Sequence, residues 1–175
     1  MARQLRVLGS CLIVSLLLLP CSAVAQEREP SVIGHAIKAT ILDPTTFAPA
    51  AFTYDGTMRD WNTSQPFFRN GFVEQNARFT RSGRSGDIAI SYEAGRSQIL
   101  RDSLSVLAVS AVHNFGTQLI QQGLRDRYPE HRKLVSVLGW IERSAVASAM
   151  SYALAGPHYR QAQLNQRMSN QLALR

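Results

Sequence analysis

The second half of the chain narrows the possible folds more than any other part. From Gln98 to about Arg125, the residues Leu100, Leu104, Leu107, Ala111, Phe115 and Leu119 recur at spacings of three and four. That is the pattern of one buried helical stripe. Asp102 stands near its start and Arg125 and Arg127 at its end, signs that suit the helix dipole. Tyr128-Pro129 makes the turn, and Pro129 is tolerated in the first turn of a following helix. The next pattern runs from about Glu130 to Ala155, with Leu134, Leu138, Ile141, Ala145, Ala149 and Tyr152 on one face. Gly156-Pro157 ends or kinks it. A third, polar helix comes next over Tyr159 to Leu174, carrying Leu164, Met168 and Leu172. Long helices joined by so short a turn pack antiparallel. The expected fold is therefore mainly α: a C-terminal antiparallel helical hairpin plus a third helix over residues 97–175.

Residues 26–96 read as irregular, with one further helix. Val32 to Leu42 is a short strand or a helix that stops before Asp43-Pro44. Pro44, Pro49 and Pro66 are expected to cut the next stretch of chain into pieces. Between the last two, Ala50 to Ser64 suits a helix, with Ala51, Tyr54, Met58 and Trp61 on its apolar face. Residues 78–96 hold Gly83, Gly86 and Gly95 among Arg78, Arg81, Arg84 and Arg96, the composition of an exposed loop with a brief strand at Ile88 to Ile90. The loop lacks the spacing and the lysine of a P-loop.

The first 25 residues concern address. Arg3 and Arg6 precede the apolar run Val7 to Leu19, Pro20 breaks it, and Ala23-Val24-Ala25 offers small residues at a peptidase site. Residues 1–25 are expected to be a signal peptide and 26–175 a single exported domain, periplasmic or secreted. An uncleaved anchor and a lipid on Cys21 are the alternatives. Cleavage removes both cysteines, Cys11 and Cys21, and with them any disulfide, thiol nucleophile or zinc-thiolate site. Of the 19 basic residues Arg3 and Arg6 also leave, so 17 face 12 acidic ones, a balance of +5. An exported basic domain points to a protein partner or an anionic membrane surface and away from nucleic acid, for which the arginines lack interleaved aromatics. Leu134 to Ala155 is long enough to cross a membrane, but Glu142 and Arg143 lie near its centre, and His113-Asn114 interrupts the first helix. Central charges are costly in lipid, so a soluble or surface-bound hairpin is favoured over an integral membrane hairpin.

Two constellations can carry chemistry. His113-Asn114 and Glu142-Arg143 lie equally far from the turn, so a His–Glu or Asn–Arg pair across the hairpin is expected. In the first half stand Asp60, Thr63, Gly71, Glu74 and Asn76. With the helices after them, they resemble a loose class of small helical bacterial envelope proteins carrying D-x-x-[ST]-T and G-x-x-E-x-N-P. The chain departs from that pattern at Ser64 and Ala77, and the class has no activity to carry over. Asp60, Glu74, His113 and Glu142 are the candidates for acid–base hydrolysis, and Asp60, Glu74, His113 and His158 for a hard metal. Their spacing matches no established ligand motif, and no cofactor is expected. The leading expectation is a non-enzymatic envelope binding module; a small periplasmic hydrolase or metal-binding protein is the alternative.

Overall fold

The computed structural model describes residues 31–173, all but a loop and short turns of which are helical. The expected leader, its cleavage site and Cys21 lie outside them. Helix α1 (Val32–Leu42) starts where the Ser31 hydroxyl accepts the Gly34 amide. Asp43 separates it from α2 (Pro44–Arg69) and caps the second helix by accepting the Thr45 amide at 3.0 Å. After a loop, Ser91 caps α3 (Tyr92–Arg127), and a single 3-10 turn, Pro129–His131, leads into α4 (Arg132–Ala173).

The mainly helical architecture and the C-terminal hairpin are as the sequence indicates; three details differ. Val32–Leu42 is a helix, so the first half holds two helices. Pro49 and Pro66 lie inside α2 and do not end it. Pro49 deprives the Thr45 carbonyl of its helical donor, and Ser110 Oγ of α3 donates to that carbonyl at 3.3 Å. Pro157 likewise sits inside α4, so the expected second and third helices are one helix of 42 residues. Packing along α2 on both sides of Pro157 keeps that helix continuous: Ala155 lies against Gly56, and Tyr159 donates to Asp55 at 2.7 Å.

Helix α2 is the spine, packed along both α4 and α3, while α1 packs on α3. Cross-contacts fix the directions. Ser110 and Asn114 meet Thr45 and Thr46 whereas Gly95 meets Trp61, so α2 and α3 are antiparallel. Arg143 meets Asp43 and Asn165 meets Ser64, so α2 and α4 are parallel. Small residues set the closest approach. A Cβ on Gly56 would stand 3.2 Å from the Ala155 carbonyl, and Ala147, Ser151 and Ala155 form the four-residue small stripe turned inward.

An apolar cluster of Trp61, Phe79 and Ile99, backed by Met58 and Phe68, fills one end of the bundle. The loop over residues 70–91 closes on it. Isolated bridges join Glu74 to Asp87 and Thr80 to Ala89, which gives the expected brief strand a pairing too short to make a sheet.

Elsewhere the interior is polar. In α3 the buried face is Ser103, Ser110, Asn114, Gln118 and Gln121, not the leucine stripe. Asn114 and Ser110 are 1% and 2% exposed, while Val112 and Ile120 are 68% and 67% exposed. Leu100, Leu104, Leu134, Leu138, Ile141 and Tyr152, expected in the core, also face outward. Periodicity placed helix at Gln98–Arg125 and Glu130–Ala155, but much of the stripe it turned inward faces outward, with Leu107, Ala111, Phe115 and Leu119 half-buried. Asn114 Nδ2 donates to the Thr45 and Thr46 hydroxyls at 2.9 and 2.8 Å, so this polar layer is hydrogen-bonded.

Candidate functional site

The structure sorts the five candidate residues into two places. Asp60 and His158 face each other across α2 and α4, with His158 Nδ1 2.8 Å from Asp60 Oδ2. Glu74, on the loop, lines the same cleft. His113 and Glu142 pair across α3 and α4, with Nε2 2.9 Å from Oε1. The sixteen residues from Glu142 to His158 separate the two places by roughly 24 Å along α4. The expected hydrolytic set and the expected metal set are thus both divided. Among the described residues, no group of three or more His, Cys, Asp or Glu side chains is placed to hold a metal ion.

The cleft has a volume of about 610 Å³ and lies between the C-terminal half of α2, the loop and the C-terminal half of α4. Each wall arises from local structure. Asp60 and Trp61 project from one turn of α2 and Ser64 from the next, and His158, Gln161 and Asn165 from successive turns of α4. Gly71, at φ 84°, turns the chain back after α2, which brings Phe72, Glu74 and Asn76 over the opening.

Asn165 organises the polar wall. It is 4% exposed, and its Nδ2 lies within hydrogen-bonding distance of Ser64 Oγ at 2.9 Å, Asp60 Oδ1 at 3.3 Å and Thr63 Oγ1 at 3.4 Å. Gln161 Nε2 donates to Asn165 Oδ1 at 2.9 Å. Asp60 therefore has a partner on each carboxylate oxygen. Glu74 is bound through Oε1 only, accepting the Asn76 amide at 2.7 Å. The lining is also aromatic: Trp61, Phe67, Phe68, Phe72 and Phe79. No lysine or arginine lines the cleft.

Asp60, Glu74 and Asn76 of the envelope-class pattern all line this cleft, and Thr63 bonds the asparagine behind it. The aromatic wall and Asn165 were not anticipated. His158, Gln161 and Asn165 recur at spacings of three and four on one helix face, a polar stripe that the sequence does contain. Only the tertiary fold connects it to Asp60, about a hundred residues earlier.

The His113–Glu142 pair borders a second hollow of about 630 Å³ between α3 and α4, lined mainly by Val112, Ile120, Leu124, Val135 and Leu138. The ring nitrogen is close to the carboxylate but poorly aligned, and Glu142 Oε2 is buried without a donor among the described residues. The expected Asn–Arg pair does not form. Arg143 instead binds Asp43 Oδ2 through Nε at 2.7 Å and Gln121 Oε1 through Nη1 at 2.9 Å. Burial works against the Asp43 carboxylate. The Thr45 hydroxyl and amide and the Arg143 guanidinium outweigh it and hold the pKa below the ordinary 3.8.

Comparison with protein-family models, curated proteins and solved structures finds no match to this chain. Function is therefore argued from the geometry.

Proposed function

We propose that the chain is a non-enzymatic binding module of the cell envelope that seats in a membrane through an apolar band around its helices. One observation carries this reading: the bundle is polar inside and apolar outside over a long stretch. Ser103 to Leu124 of α3 contains no Asp, Glu, Lys or Arg, over a length of roughly 33 Å. Leu134 to Tyr159 of α4 contains only Glu142 and Arg143. Arg143 is buried on Asp43, while Glu142, whose side chain is 41% exposed, lies against His113. Val109, Val112, Ile120, Val137, Trp140 and Ile141 face outward between these limits, and Ile33, Ile37 and Ile41 of α1 add to them. The hydrocarbon core of a bilayer is about 30 Å thick, and ionisable groups within it turn toward the bundle interior and pair.

No described helix is long and apolar enough by itself to cross a membrane. A hydropathy average along one helix mixes the two faces, and several of the residues that lower it here are buried: Ser110, Asn114, Gln118, Gln121 and Arg143. This reading takes up the membrane alternative that the central charges had made less favoured. The hydrolase alternative has less support: among the described residues His158 bonds Asp60 alone, and no serine or threonine hydroxyl is bonded to it as a nucleophile.

The test is flotation of the purified full chain with phosphatidylcholine–phosphatidylglycerol vesicles at low and high salt, followed by an alkaline carbonate wash. Flotation that persists through salt and carbonate is the expected result. A monodisperse protein that needs no detergent and stays at the bottom of the gradient overturns the reading.

A further inference from the structure

We infer that the cleft between α2, α4 and the loop is a binding site for a small organic ammonium ion with an apolar or aromatic body. Two carboxylates, Asp60 and Glu74, line the cleft, and no lysine or arginine does, in a chain whose overall balance is +7. An anionic ligand would meet like charge there, and a cation would meet its complement.

The second feature is the aromatic share of the cleft lining. Trp61 and Phe79 are 4% and 5% exposed and pack on Phe68 as the floor of the cleft, while Phe72, 60% exposed, meets Phe67 edge to face at 5.8 Å and leaves aromatic surface open. Aromatic faces attract an ammonium group through the ring quadrupole. The remainder of such a ligand would fill the apolar side of a cleft whose volume, about 610 Å³, falls within the ordinary range for small-molecule sites.

Third, the polar side chains are already held in place. Asn165 and His158 fix the Asp60 carboxylate from α4, so its charge is presented without a reorganisation cost. Glu74 Oε2 has no donor among the described residues. It is the acceptor left for a ligand N–H, or the counter-charge for a quaternary nitrogen.

The chain has two tryptophans, and one of them, Trp61, lines the cleft. In full-length protein carrying Trp140→Phe, the emission of Trp61 therefore reports the site. Titration in detergent solution with benzyltrimethylammonium is expected to give a saturable change. Benzylsulfonate, which matches it in ring and size but carries the opposite charge, should bind at least tenfold more weakly. Glu74→Gln and Asp60→Asn should each weaken the cation by about threefold to thirtyfold. Glu74 bonds only a backbone amide, so Glu74→Gln keeps the test open should Asp60→Asn fail to fold. Equal response to the two ions, a change that never saturates, or a Glu74→Gln protein with an unchanged melting temperature and unchanged affinity would each overturn the inference. The assay contains no vesicles, so its failure is distinct from failure of the membrane reading.

Discussion

Asp43 is the residue on which the most elements depend. It ends α1, caps α2 through Thr45 and binds Arg143 of α4, whose other nitrogen reaches Gln121 of α3. Four helices thus meet at one buried ion pair. Such a pair is costly to break from one side, because the remaining charge stays buried alone. Arg143→Met is expected to lower unfolding free energy by about 3–5 kcal/mol, while the double variant Asp43→Asn/Arg143→Met should recover part of it. Urea denaturation of the single and double variants measures both. The lowered Asp43 pKa sets the sign of the pH effect. Its stabilisation is fully present above 3.8 and is lost as pH falls below that value through the folded pKa. Asp55, held low first by the Tyr159 hydroxyl, and Asp87, held low first by the Ser82 hydroxyl, act in the same direction. Acid unfolding monitored by circular dichroism should therefore steepen below pH 3.8, and the slope should be shallower but not absent in Asp43→Asn.

At the scale of the helices, close contacts explain where the elements begin and why they persist. Helix α3 begins at Tyr92, before a glycine whose surroundings in the sequence suggest a loop. Gly95 lies within the helix with the Trp61 ring directly against it, and a Cβ there would overlap Trp61 Cε2. Gly95→Ala is expected to cost about 1–3 kcal/mol by overpacking, against the slight gain that alanine brings in an open helix. A thermal melt distinguishes the two signs. Pro49 gives the complementary case. The carbonyl it leaves without a helical donor is bonded by Ser110 of a different helix, so Ser110→Ala should destabilise by about 1–3 kcal/mol although serine favours helices less than alanine does. Neither effect can be read from α2 or α3 alone, since each depends on what the neighbouring helix presents.

For the whole molecule, the deciding property is which way the faces point. Exposed Val, Ile, Leu and Trp side chains stand on α1, α3 and α4, and the cleft lies at the end of the bundle that holds the Trp61 cluster. Ile120→Glu and Val112→Glu alter outward positions only. Their far-UV spectra in detergent should match the parent chain, whereas vesicle flotation should fall at least severalfold, because a central charge costs roughly 2.5–3.5 kcal/mol on insertion scales. Loss of helical signal together with flotation would instead place these residues in the packed interior.

The two long C-terminal helical patterns, the turn at Tyr128-Pro129 and the His113–Glu142 pairing are legible in the sequence, because they depend on spacing along one chain, whereas the continuity of α2 and α4 through their prolines is not. Asp60, Glu74 and His158 also stand out there as chemically distinctive, two of them through a short pattern and one as an isolated histidine. That these three share a cleft while His113 and Glu142 do not is a matter of tertiary packing. A parallel α2–α4 pairing brings residues a hundred positions apart to the same level, and no local spacing encodes it. The outward direction of the leucine and isoleucine stripe has the same origin. A period of three to four states that a helix has two unlike faces, and the rule that apolar means inside then assumes water on the outside. In this bundle the polar residues bond one another across the interior, from Asn114 with Thr46 to Arg143 with Asp43, and that choice of partners turns the apolar stripe away from the core.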